Sequence, residues 1–432
     1  MKRRVSVPVA LVLVLIVAIA LWVSRGVTGE PRETPFDRVI TENVHAQVEQ
    51  GRQTFRFDTF GDEEFWGDLL RLHEAIRQVS PRTALAVGLK VDVDALPAKL
   101  RSDLRNGRVD LDDPANTVAL LKLNAVVGVT GFFDGRGRLR SMGIQCALCH
   151  STVDDSFAPG IGRRLDGWAP RDLNVGAIIA LAPNLKPVAD LLGVSQRTLR
   201  AVLNSWGPGK FDAAVFIDGK ARPPSGGPTL IPPAFGLAGV NLHTWTGWES
   251  VTHWNAFVAN LEMHGKGTFY DPRLNDPVRF PIAAANGFGN VRNDPDLVTS
   301  KLAALHVYQL AIPAPKAPEG SFDRRAATRG KVLFKTKAQC AVCHVPPLFT
   351  EPGWNMHRGE EIGIDNFQAD RSPDRHYRTA PLKGLWSHQK GGFYHDGRFP
   401  TLRDVVDHYN SVKALGLTGG EVADVVEYLK SL

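Results

Sequence analysis

The pentads CALCH at 146–150 and CAVCH at 340–344 use all four cysteines of the 432-residue chain. No thiol is left over for packing, so the fold must serve two local sites rather than one disulfide framework. Two paired thiols would also suit a thioredoxin-like redox pair or a four-thiolate zinc site. Structural zinc pairs, however, usually lie about 15–20 residues apart, whereas residues 151–339 intervene here. The chain has only 13 His, and one follows each thiol pair. Such a His points to c-type haem, because two thiols at this spacing can add to the two vinyl groups while the next imidazole reaches the iron. The expectation is two covalently bound haems, on Cys146, Cys149 and His150 and on Cys340, Cys343 and His344.

Haem attachment to thiols needs an exported, reduced chain, and the N-terminus fits. MKRR precedes an uncharged stretch from Val5 to Val23, longer than the roughly 7–15 apolar residues of a cleavable signal and without a clear A-x-A site. Its length is close to the roughly 20 residues that span a bilayer, and the basic flank favours a cytoplasmic N-terminus. Residues 1–30 read as a signal anchor, with a removed signal peptide as the alternative. In either case the remainder faces the periplasm.

Composition adds bounds. At 43% hydrophobic, the chain can build two or three cores. The net charge of +6 is spread along the sequence, and four haem propionates would cancel much of it, so no nucleic-acid partner is read from it. The Pro-rich run AIPAPKAPEGSFD, 311–323, reads as an extended linker within about 311–325. After it, DRRAATRGKVLF should be a helix leading into CAVCH. LTGGEVADVVEYLKSL should be a packed terminal helix, with Thr418 and Glu421 as a capping box and Val422, Val425, Val426 and Leu429 at helical spacing. These bound a C-terminal cytochrome c domain at 326–432.

The opening helix QGRQTFRFDTF, 50–60, parallels RGKVLF: Gly51 and Phe55 match Gly330 and Phe334 in spacing. CAVCH begins six residues after Phe334, but CALCH begins ninety-one after Phe55. An N-terminal haem domain at 31–310 therefore carries an insertion at about 61–141, with FWGDLLRLHEAI and TVALLKLNAVVGV as candidate helices. A lost third haem site is the other explanation of GRQTF. A second, irregular stretch at about 172–227 contains an Asp218-Gly219 hairpin signal. The fold class expected is mainly α: two cytochrome c-like domains, the first with large insertions, behind a membrane-spanning or signal segment.

The chain resembles the bacterial di-haem cytochrome c peroxidase and MauG family. The resemblance rests on CAVCH, RTAPLKGLW at 378–386 and HDGRFPTLRDVVDHYN at 395–410. It continues more weakly through PPAFGLAGVNLHTWTGW at 232–248 and NLEMHG at 260–265. It implies peroxide chemistry at the N-terminal haem and electron entry, from a small cytochrome c or cupredoxin, at the C-terminal one. It further implies a calcium ion between the domains, whose side-chain ligand is not recognisable here, and leaves a homodimer open.

The resemblance also implies residue roles. The peroxidases place an axial Met about fourteen residues after the His of the HDGR-like turn; from His395 that position is Tyr409, and MauG likewise has Tyr. A tyrosinate would favour ferric and higher iron states. The alternatives are a core aromatic, or ligation by His408, His395 or Met356. No His or Met occurs from Ser151 to Leu242, which leaves the first iron open for hydrogen peroxide unless His243, His253 or Met142 folds back. Glu262 matches the family's distal carboxylate, suited to moving a proton between peroxide oxygens; otherwise it is a surface residue of a helix. His264 stands beside it. Trp245 matches a Trp between the haems, an electron relay or simple core. Trp248 replaces a usual Arg.

Overall fold

Gly51 and Gly330 each sit where two helices cross. A Cβ on Gly51, in the helix Pro35–Phe57, would stand 2.0 Å from the Ala304 carbonyl oxygen of the helix Leu302–Ala311. A Cβ on Gly330, in Arg324–Lys335, would stand 1.9 Å from the Asp424 oxygen of Gly419–Lys430. Only glycine lets backbones approach so closely. One turn further on, fully buried Phe55 packs on Tyr308 with ring centroids 5.5 Å apart, and fully buried Phe334 packs on Tyr428 at 5.2 Å. The short sequence match is thus a repeated helix crossing, in which Tyr308 and Tyr428 each follow the crossed carbonyl by four residues.

The computed structural model describes residues 33–220, 227–388 and 390–432. The chain is mainly helical, with six two-stranded sheets among the described residues. Backbone contacts separate residues up to Ala46 from Gln47–Leu432, and both pentads belong to the latter. In the shorter part, Thr34 and Asp37 cap the start of the helix reciprocally: the Thr34 amide donates to Asp37 at 2.7 Å and the Asp37 amide to Thr34 at 3.1 Å. No helix among the described residues is long and apolar enough to cross a membrane; the Val5–Val23 segment lies outside them.

The C-terminal third follows its pattern. Thr418 and Glu421 form the expected reciprocal box, and Val422, Val425, Val426 and Leu429 are buried with Phe334, Leu402 and Val406. Residues 312–323 form no helix or strand. The insertion is different from a surface appendage. Trp66, Leu121, Val129 and Leu139 share one apolar cluster with Leu148 of the first pentad. The antiparallel pair Val129–Phe133 and Leu139–Ile144 ends one residue before the helical turn Cys146–His150.

Four expectations need correction. FWGDLLRLHEAI is not one helix: a wide helical turn, Glu64–Leu69, is separated from Leu72–Ile76 by Arg71 at φ 59°. TVALLKLNAVVGV is helical only to Lys122; the chain turns at Asn124, φ 50°, and the Val-rich remainder runs into a strand, as β-branched residues favour. The described part of 172–227 is not irregular, since Val175–Ala180, Lys186–Leu191 and Gln196–Ser205 are helices. Nor is Asp218-Gly219 a hairpin. Val215–Asp218 is a helical turn with buried Val215 and Ile217, and Gly219 ends it at φ 68°. The Asp218 carboxylate accepts from the Lys220 amide at 2.8 Å and also from Arg371 Nε at 2.7 Å.

Candidate active site

The four thiols are free, and no grouping among the described residues brings both pentads together around a metal. Burial pushes the Cys146 and Cys149 thiols up to about 12 and Cys340 to about 11. A reactive redox cysteine needs a depressed thiol pKa, so the raised values disfavour that alternative. Burial lowers His150 to about 4 and also lowers His344, leaving both imidazoles neutral and able to ligate iron. The His344 Nδ1 is 3.0 Å from the Phe349 carbonyl. Donation there fixes the tautomer and leaves Nε2 for a metal. These donor sets fit covalent haem.

Beside the first pentad lies a cavity of about 330 Å³ with mostly aliphatic walls; Cys146, Cys149, His150, Trp245 and Glu262 all line it. The helix Val251–Phe257 widens into a π-type turn, Val258–Glu262, that carries Glu262 at its end. Such turns recur at functional sites because they re-aim a side chain. Glu262 is close enough to the Cys149 thiol to raise its pKa, and its Oε2 is buried with no hydrogen-bond partner. Burial, then the Asp212 charge, pushes the Glu262 carboxyl up to about 8. A carboxyl so tuned can hold or release a proton near neutrality.

The insertion holds this corner in place, which the sequence did not reveal. Trp66 Nε1 donates to the Met263 carbonyl at 2.8 Å, and Phe65 stacks on His264 with centroids 3.6 Å apart. His264 takes φ 60°, and burial lowers its pKa to about 4. No motif marks Phe65 or Trp66; only their place next to a carboxylate in space gives them meaning. Met142 and His243 also line the cavity. His253 instead faces Asp271 at 3.5 Å.

Trp245 Nε1 donates to the Leu230 carbonyl at 2.7 Å, and its own carbonyl accepts from the Arg378 amide at 3.1 Å. The Arg378 side chain reaches the Leu242 carbonyl at 2.8 Å, so the RTAPLKGLW segment clamps the Trp245 loop. Trp248 belongs to another core: its Nε1 is 3.2 Å from Asp271, and its ring packs on Trp254 and Phe257.

At the second pentad, Tyr409 projects from Leu402–Val412. Burial raises its pKa, the Tyr394 hydroxyl opposes this, and Cys343 and Cys340 add to it, which places the phenol beside both thiols. The rivals are engaged elsewhere. His408 Nε2 is 2.8 Å from the Ile362 carbonyl, and His395 stacks on Tyr377. Met356 lies against Gly247. His357, not singled out in the sequence, is 2.6 Å from Glu351 and 3.1 Å from Glu361. With Cys343 and Glu351 it brings ligand atoms within 4.8 Å of one another, but a haem thioether at Cys343 would consume the sulfur.

The arrangement can be set beside known proteins. No family model matches the chain. It is 26% identical over 234 residues to the methylamine utilization protein MauG of Methylorubrum extorquens, covering 48% of this chain and 64% of that one. It is 26% identical over 222 residues to a cytochrome-c peroxidase of Denitromonas iodatirespirans, covering 39% and 58%. The chain is a distant homologue of MauG and the di-haem cytochrome c peroxidases. It spans less than two thirds of either relative's length. Among solved structures, a MauG-like protein associated with microbial copper homeostasis is 19% identical over 52% of this chain and 78% of its own, with a TM-score of 0.28. The Kuenenia stuttgartiensis hydrazine synthase is 18% identical over 53% and 78%, with a TM-score of 0.29.

Proposed function

We propose that this chain is a di-haem c-type oxidoreductase of the periplasm, built from two cytochrome c-like units and carrying out peroxidase chemistry at the first pentad. The observation that carries the reading is Glu262: a carboxyl with an unpartnered oxygen, lining the same cavity as Cys149 and His150. Haem iron, when bound to His150, supplies a coordination position for hydrogen peroxide and the redox capacity to reduce it.

The chain supplies the proton handling. Ionised Glu262 takes a proton from one peroxide oxygen and, as the acid, returns it to the departing oxygen; such transfers contribute about 100- to 10,000-fold. The aliphatic walls exclude water, and Trp66 and Phe65 fix the Glu-Met-His corner. Two electrons and two protons convert each peroxide to two waters. The electrons come from a small periplasmic cytochrome c or cupredoxin through the second pentad, and Trp245 is positioned to relay them. The apolar N-terminal stretch supports attachment to the inner membrane. Calcium and a homodimer remain expectations from the resemblance alone.

Tyr409 favours a second reading, MauG-like oxidation of a protein or small molecule with peroxide as oxidant. Steady-state turnover tests both. Peroxide consumption that depends on a reduced small donor is expected. Consumption with another oxidisable substrate but no reduced donor would favour the second reading, and none with either would leave an electron-transfer cytochrome.

A further inference from the structure

Two buried side chains, Arg171 and His388, carry nitrogen atoms without a hydrogen-bond partner among the described residues. Arg171 is 7% exposed, and its Nε and Nη1 atoms have no hydrogen-bond partner. His388 is 8% exposed, and its Nε2 is likewise unpartnered. Arg171 follows the first pentad by about one strand pair, whereas His388 ends the turn Leu385–His388 that carries the RTAPLKGLW segment. Arg171 Nη1 lies 4.0 Å from the place a Cβ on Gly391 would take, three residues beyond His388, and the Arg171 charge reaches the His388 ring. Their mutual influence is one-sided. Burial and then the Arg171 charge lower His388 to about 3, and burial alone lowers Arg171 to about 10, with no anion opposing it.

Elsewhere the fold treats a buried guanidinium quite differently. Arg371, also buried, donates to Asp218 at 2.7 Å and to Asp212 at 2.9 Å. An unpaired guanidinium in a protein interior costs several kcal/mol, so a charge of this kind persists when a ligand neutralises it. The donor geometry narrows the ligand. A guanidinium edge with an adjacent imidazole N–H matches a carboxylate or a small oxyanion, not a neutral apolar molecule.

We propose that Arg171 and His388 form a carboxylate seat, filled by a haem propionate or by a free small anion. The haem source rests on the function proposed above; the seat itself does not. The carbonyl held by Trp245 belongs to Leu230, whose side chain, like Arg171 Nη1, approaches Gly391, so a propionate here would sit close to the proposed electron relay.

The test uses the full holo-protein and Arg171→Gln. Haem content by mass and pyridine haemochrome comes first: a protein without covalent haem would overturn the proposed function and leave only the free-anion source to examine. With haem present, a propionate in the seat predicts that Arg171→Gln lowers the reduction potential of one haem and not the other, because a neighbouring cation favours the reduced state. It also predicts a shift of that haem's propionate bending line in resonance Raman spectra. Phosphate and acetate would leave the wild type unchanged. A free-anion seat predicts the reverse: thermal stability of the wild type rises with phosphate or acetate, and Arg171→Gln abolishes that rise. If Arg171→Gln yields no folded protein, Arg171→Lys keeps the charge but not the fork, so the potential should hold while the Raman line or the anion response changes. A loss of thermal stability alone, with potentials, Raman lines and anion responses all unaltered, would overturn the seat.

Discussion

The two pentads share one scaffold and differ in what faces them. Each stands with a Gly-Phe helix that crosses a second helix at a bare backbone contact and packs on its Tyr. Around the first, a long insertion builds an apolar cavity and fixes Glu262, a carboxyl without a hydrogen-bond partner on one oxygen. Around the second, Tyr409 lies beside both thiols, and His344 is already oriented by Phe349. Near His150 the Pro232 backbone offers a comparable acceptor. Under the proposed function the same helix crossing would serve opposite ends of one reaction, and what distinguishes the two pentads is the side chains that face them and the walls around them, not the attachment motif.

The largest effect should come from removing the first site's proton carrier. Glu262→Gln should keep both haems and slow peroxide cleavage about 100-fold or more. Because the raised carboxyl is neutral below about 8, the base form grows as pH rises through that value, and wild-type turnover should rise with it. An unchanged rate with chemistry limiting would return Glu262 to a structural part. The same variant has a stability signature of opposite sense. A raised acid binds more protons folded than unfolded between its ordinary value and about 8, so the wild type loses stability across that window as pH increases. Glu262→Gln should flatten the fall, measured as thermal midpoints from pH 5 to 9.

Next in size are the crossings. Gly51→Ala and Gly330→Ala each force a Cβ into a carbonyl and should destabilise by about 1–3 kcal/mol. If the scaffolds are equivalent the two losses should match, by denaturant unfolding of the holo-protein. A large loss at one and none at the other would break the equivalence.

Local patterns carried through from sequence to structure; partners distant in the chain did not. The Thr418–Glu421 box and the Val-rich face of the last helix involve neighbours a turn apart, and they were legible. The Gly51 and Gly330 match was legible as spacing, but its cause, Ala304 and Asp424 with their tyrosines, lies in other helices. Glu262 and Tyr409 were reached through resemblance, since nothing local distinguishes a carboxyl or a phenol facing a haem from one facing solvent. Trp66 and Phe65 fall where that resemblance stops. Asp218-Gly219 shows the same limit: Asp218 keeps its local bond to the Lys220 amide, but Arg371, from far along the chain, also pairs with that carboxylate, and the dipeptide closes a short buried helical turn rather than a two-residue hairpin.

The smallest expected change is also the most specific to the second pentad. In the holo-protein a five-coordinate first iron should be high spin, and a His/Tyr second iron six-coordinate and low spin, so the oxidised protein should give two unlike electron paramagnetic resonance signals. Tyr409→Phe removes one oxygen from a ring that is otherwise packed against Tyr394, and should cost little stability. It should alter the low-spin signal alone and raise the potential of that haem, since an anionic oxygen donor favours ferric iron. His408→Gln is the control, because His408 is engaged with the Ile362 carbonyl and should leave the signal as it was. If the Phe variant keeps the low-spin signal while the Gln variant loses it, ligation belongs to His408 and the helix Leu402–Val412 must rotate when haem is attached. Tyr409 would then be a packing residue, and the two pentads would differ only in the Glu262 corner.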